Sequence, residues 1–109
     1  ALSVALTIKL ETNSLKTILR ELYESFRQYC EAIGYEKGYK FSSHEVITYF
    51  LDKVLIEPVI AFKFDRYRKL RNGINYYGDD ISPETVLEAR VEIPLLIAKL
   101  KKHLSSRGT

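Results

Sequence analysis

Apolar residues recur at steps of three and four along almost the whole chain, a period that fits an α-helix and not the two-residue alternation of a strand. The clearest run is Leu15, Ile18, Leu19, Leu22, Phe26, Cys30 and Ile33, one stripe on a helix that ends near Gly34. The stretch GYEKGYKFSS from Gly34 to Ser43 holds two glycines and two serines without sustained period, and reads as the longest loop. Ser42 and Glu45, three apart and just ahead of Val46, Ile47, Phe50, Leu51, Val54 and Leu55, form a capping-box pattern that predicts a second helix. Pro58 stops that helix and starts a third, because its fixed φ and missing N–H are harmless in a first helical turn. The third stripe is Ile60, Phe64, Tyr67, Leu70, Ile74 and Tyr77, with Gly78 as terminator. Ser82 as N-cap and Pro83 as first helical residue open a fourth segment carrying Val86, Leu87, Val91, Leu95 and Ile97 to Leu100. Pro94 is expected to kink or split it, since it removes a donor and clashes with the preceding turn.

The fold class is therefore all-α: an up-and-down bundle of four principal helices, one domain over residues 1–109. Val4, Leu6, Ile8 and Leu10 do alternate, but a short strand with nothing to pair with is a poor element, so helix or irregular structure is expected there. With 46% hydrophobic and 28% charged residues, the 109-residue chain can fill one core and is neither disordered nor fibrous. Cys30 is the single cysteine, so no internal disulfide can form, and its place in the first stripe makes it a buried thiol. That usage suits a reducing, cytoplasmic setting. No apolar run approaches the roughly 18 to 20 residues that cross a bilayer, and the start of the chain lacks a signal peptide's basic flank. The sequence contains no Met, so Ala1 is not expected to be the first codon.

Charge is uneven. Up to residue 57 there are seven basic and eight acidic residues, and after it ten and six. The excess is concentrated at Lys63, Arg66, Arg68, Lys69 and Arg71, with Phe64 and Tyr67 interleaved and only Asp65 opposing. Cations that neutralise phosphate, next to aromatics that can stack on bases, suit a nucleic-acid partner, although the same pattern also describes a solvated helix face.

Most catalytic templates are missing. There is no Gly-rich phosphate loop, no GxSxG elbow and no HExxH, and no Glu precedes His44 or His103 by three positions as a di-iron bundle requires. No cofactor or metal is called for. The polar group at the end of the third helix stands out instead. Arg71 and Asn75 lie one turn apart, as do Asn72 and Tyr76, so four polar side chains share a limited surface able to hold a phosphate. Gly73 costs about 1 kcal/mol inside a helix, which suggests a close approach there.

A helical bundle with Arg, a polar residue, three variable positions and a fixed residue near the end of its third helix resembles the HEPN superfamily, named for a nucleotide-binding domain of higher eukaryotes and prokaryotes. Arg71 matches the family arginine and Asn72 the polar position, while Tyr76 stands where the family has histidine. The resemblance implies a homodimer that brings two motifs together, an RNA or nucleotide ligand, and, in active members, cleavage without metal in which histidine moves a proton and arginine holds the phosphate. It also implies a nucleotidyltransferase partner of the toxin–antitoxin kind, with Tyr77 or Tyr76 as a candidate modification target.

The departure at Tyr76 has a chemical consequence. A phenol with a pKa of about 10 is a poor general base at neutral pH. His44 could replace it only within hydrogen-bond reach of the same phosphate, and its place in the capping box predicts an exposed first-turn residue instead. His103 reads as a favourable charge at a helix end. The first reading is a domain degenerate in cleavage that binds RNA or a nucleotide through Lys63, Arg66, Arg68, Lys69, Arg71 and Asn75. A metal-independent endoribonuclease using Arg71, Asn72 and Tyr76 is the second, and a helical scaffold without a ligand is the third.

Overall fold

A computed structural model of the protein describes residues 12–104, so the alternating segment from Val4 to Leu10 lies outside them. Four helices account for most of that span, and no strand occurs among the described residues. The first, α1 (Thr12–Glu36), extends two residues beyond Gly34. All seven members of its predicted stripe are buried, joined by Tyr23, whose ring completes the same face. Phe26 meets Phe64 edge-on at 5.1 Å between ring centroids, and Tyr23 meets the same ring at 5.4 Å. These rings form the centre of the core, where aromatic pairs add to simple area burial.

The second helix begins one residue later than the capping-box pattern implies. Its N-cap is Ser43, not Ser42, and Ser43 Oγ accepts from the Val46 N–H. With two adjacent serines the spacing to Glu45 picks the wrong one; taking Ser43 as cap leaves Val46 as the residue whose N–H is free to be capped. α2 is only His44–Tyr49. Its ladder then widens into a π-turn over Phe50–Val54, closed by Leu55 N–H on the Phe50 carbonyl at 3.0 Å. Ile47, Phe50, Leu51 and Leu55 face inward, while Val46 and Val54 stay partly exposed. Ile56 follows with φ at +56°, 70% exposed, so it takes a left-handed conformation without packing to offset it.

Pro58 opens α3 (Pro58–Tyr77), which ends on left-handed Gly78, as the composition predicts. The Asp79 N–H donates to the Gly73 carbonyl, and Asp79 Oδ2 lies 2.5 Å from where a Cβ on Gly73 would sit. That is the close approach expected at Gly73. Ser82 caps α4 (Pro83–Leu100), accepting from the Thr85 N–H at 3.1 Å.

Two expectations about this last helix need correction. α4 runs unbroken through Pro94, with Ile93 and Leu96 buried on either side of it, so the helix is not split there. The buried face is also not the one the apolar residues suggest: Val86, Ala89, Ile93, Leu96 and Leu100 point inward, while Leu87, Val91 and Leu95 face solvent. A short 3-10 turn (Lys101–His103) ends the described chain, with His103 Nε2 2.6 Å from Glu57 Oε2.

The long helices run in alternating directions. Arg20 meets Asn75 while Phe26 meets Phe64, so α1 and α3 are antiparallel. Lys63 pairs with Glu92 and Arg66 with Glu88, so α3 and α4 are antiparallel too. Alternation thus holds for α1, α3 and α4. α2 and its π-turn form one eleven-residue helix, His44–Val54, so four helices are present as expected; Glu45 near Arg68 and Thr48 near Asp65 set α2 antiparallel to α3, in the same direction as α1, which corrects the strict up-and-down order.

Candidate functional site

The antiparallel contact of α1 with the last turns of α3, closed by the first residue of α2, leaves a cleft of about 250 Å³ lined by Arg20, Glu21, Tyr23, Glu24, His44, Arg71 and Asn75. Arg71 is its centre. The guanidinium lies 5.0 Å from the centroid of the Tyr23 ring, a cation–π arrangement, and its Nη2 is 2.5 Å from His44 Nδ1. Arginine has no acceptor, so Nδ1 must be unprotonated and the neutral ring carries its hydrogen on Nε2. The Tyr23 hydroxyl lies 2.9 Å from the same nitrogen.

Electrostatics support that protonation state. Burial lowers the pKa of His44, and the charges of Arg71 and then Arg27 lower it further. Burial pushes the Tyr23 hydroxyl up to about 12, against the opposing influence of Arg71. At neutral pH the cleft therefore holds a neutral imidazole, a protonated phenol and a guanidinium.

On the α1 wall, Arg20 Nε donates to Asn75 Oδ1 at 2.7 Å. Glu24 is engaged by Arg27, which also holds Glu31 at 2.5 Å; the Arg27 hydrogen bonds keep the Glu24 carboxyl below its ordinary range. Arg71 itself forms no ion pair among the described residues, and its buried Nε has no hydrogen-bond partner there. A guanidinium held by an aromatic face and a neutral imidazole, rather than by a carboxylate, keeps its full charge available to an anion.

The other sequence-selected residues fall into two groups. Every cation of the basic run before Arg71 is paired: Lys63 with Glu92, Arg66 with Glu88, Arg68 with Asp65 and Lys69 with Asp65. Tyr76 and Tyr77 are 71% and 81% exposed, outside the cleft, and half-buried Asn72 does not line it either. Five positions along a helix rotate a side chain by about 140°, so Arg71 and Tyr76 look in different directions while Arg71 and Asn75 share a face. Tyr77 is not part of the core stripe it was read into.

Arg20 and Tyr23 escaped the sequence reading, and His44 was weighed there as a base but read as exposed. The signal for the first two was the polar row Arg20, Glu24, Arg27 and Glu31 beside the apolar stripe of α1, with Tyr23 at its edge. His44 was masked by the one-residue shift of the cap: it is a partly buried residue of the cleft wall, not a solvated first-turn residue. Cys30 is fully buried and burial raises its thiol pKa, so it is inert. A larger hollow of about 400 Å³ lies on another side of α3, but Asp65, Asp79 and Asp80 face it and its cations, Arg66 and Lys69, are already paired. Among the described residues there is no group of three metal-ligating side chains, and no helix is long and apolar enough to cross a membrane.

No family model, curated protein or solved structure matches this chain. The candidate site rests on its own geometry.

Proposed function

We propose that this chain binds a phosphate of single-stranded RNA or of a nucleotide in the cleft between α1, α2 and α3, with Arg71 as the principal ligand and Arg20 and Asn75 beside it. The observation that carries the reading is Arg71's setting: a partly buried guanidinium facing a cleft with no carboxylate bound to it. Among the described residues the other cations of α3, Lys63, Arg66, Arg68 and Lys69, are each neutralised by a carboxylate, and Arg71 is not. The HEPN resemblance, which singles out the same arginine, agrees with this reading.

A second reading is favoured by the 2.5 Å contact between Arg71 and His44. Cleavage of RNA without metal needs a base for the ribose 2′-hydroxyl and a cation for the phosphate. When a phosphate draws the Arg71 guanidinium away, Nδ1 keeps the Tyr23 hydroxyl as its remaining partner, and turning that O–H toward the phosphate leaves the lone pair beside the bound nucleotide. The 2′-oxygen then attacks phosphorus as Nδ1 takes its proton, and the P–O5′ bond breaks with the departing 5′-oxygen taking a proton from water, giving a 2′,3′-cyclic phosphate and a 5′-hydroxyl. In this reading His44, not Tyr76, does the work of the family histidine.

Labelled single-stranded RNA incubated in EDTA with the parent protein, Arg71→Ala, His44→Gln and Lys69→Ala tests both readings. A charge-assisted contact is worth roughly 1.5–3 kcal/mol, so Arg71→Ala should weaken binding on the order of 10- to 100-fold, with Lys69→Ala close to the parent. Cutting lost in both Arg71→Ala and His44→Gln would establish the second reading. Equal binding by Arg71→Ala and the parent would reject the site.

A further inference from the structure

α4 is apolar on two sides. Its inner side is packed against α1, yet Leu87, Val91 and Leu95 on its outer side are 48%, 66% and 58% exposed. Charged side chains such as Glu88 and Glu92 flank this outer row, and an exposed apolar row rimmed by charge marks an interaction surface. The three residues follow at intervals of four and so form one row. That row continues into charge at both ends, with Glu84 one turn before Leu87 and Lys99 one turn after Leu95. Glu84 and Lys99 are both exposed, and neither makes an ion pair among the described residues.

Read along the helix, the row is acid, apolar, apolar, apolar, base, and reversing it end for end gives its own complement. A second α4 laid antiparallel with Val91 on a two-fold axis meets Leu87 with Leu95 of the second copy. It also sets Glu84 beside Lys99 of the second copy, and symmetry makes each contact twice. A parallel arrangement would put like charges together at both ends.

We propose that two copies of this chain pair through the outer face of α4, antiparallel, around Val91. No residue of α4 lines the Arg71 cleft, so this pairing stands or falls independently of the phosphate reading. It also differs from a dimer built on the Arg71 motif.

Sedimentation velocity of the full chain over a concentration series tests it. The parent should sediment at twice its 12.7 kDa chain mass and Val91→Glu at the single mass, with the helical circular dichroism and melting of Val91→Glu showing that the fold is kept. A charge exchange provides the stricter test, since it alters only exposed, unpaired side chains. Glu84→Lys and Lys99→Glu should each weaken self-association at least 10-fold. Mixing the two variants, or combining both changes in one chain, should restore it. A parent that stays monomeric into the hundreds of micromolar overturns the proposal, as does a dimer that survives Val91→Glu or single charge reversals whose loss the mixture does not repair.

Discussion

The salt dependence of RNA binding separates the cleft from the basic run, because each predicts a different number of displaced counterions. For single strands, the logarithm of affinity falls by about 0.7 per phosphate contact for each tenfold rise in salt. If all five cations from Lys63 to Arg71 met phosphate, the slope would be about −3.5, and affinity would fall over 100-fold between about 50 and 200 mM salt. In the structure four of those five already face carboxylates, and a cation whose charge is offset by Asp65, Glu88 or Glu92 has little counterion to release. Arg71 and Arg20 remain, which gives a slope of about −1.4 and a loss of only about sevenfold over the same range. Fluorescence anisotropy of a labelled single-stranded oligoribonucleotide across a salt series measures this directly. Arg71→Ala should lower the slope by about 0.7, while Arg66→Ala and Lys69→Ala should leave it unchanged. A slope near −3.5, or one indifferent to Arg71→Ala, would refute the reasoning and return the binding surface to the outer face of α3.

Other consequences concern stability. His44 has a folded pKa below its ordinary 6.5, so the unfolded chain binds its proton more readily; the stability this group contributes is complete above about pH 6.5 and is lost as pH falls through the folded value. Urea midpoints taken at about pH 7 and about pH 5.5 should therefore differ more for the parent than for His44→Gln. Ile56→Gly should stabilise the protein by roughly 0.5–1 kcal/mol by relieving a left-handed β-branched residue that is mostly exposed; a lowered melting temperature would contradict this. Gly73→Ala should also stabilise, by roughly 0.5–1 kcal/mol, because what meets the new methyl is the free end of the exposed Asp79 carboxylate. Destabilisation that disappears in an Asp79→Ala background would show that Asp79 is fixed in place after all.

Much of the fold was legible because it is encoded locally. The stripe of α1, Pro58 and Gly78 at the ends of α3, and Ser82–Pro83 at the start of α4 are each read within a turn or two of sequence. The π-turn at Phe50–Val54 has no such signature, because the spacing of Ile47, Phe50, Leu51 and Leu55 fits an ordinary α-helix as well. The inward face of α4 was misread for a related reason: both sides of that helix are apolar, and only contact with α1 decides between them. At the site, Arg71 and Asn75 were legible as neighbours on one helix. Tyr23 and His44 reach Arg71 from 48 and 27 positions away in the chain, a meeting set by packing rather than by spacing. Neutralisation of the basic run was half visible, since Asp65 is local, whereas Glu88 and Glu92 arrive from the neighbouring helix.

The bond from Arg71 to the unprotonated nitrogen of His44 makes the cleft's anion affinity and its proton affinity interdependent. An incoming phosphate replaces the imidazole as partner of the guanidinium and places negative charge beside a ring that had been held neutral by a nearby cation. The ring then takes up a proton more readily, and by thermodynamic reciprocity a lower pH tightens the hold on phosphate by the same factor. If the cleft takes phosphate as proposed, its occupancy is coupled to acidity through a single imidazole, with no movement of the helices required.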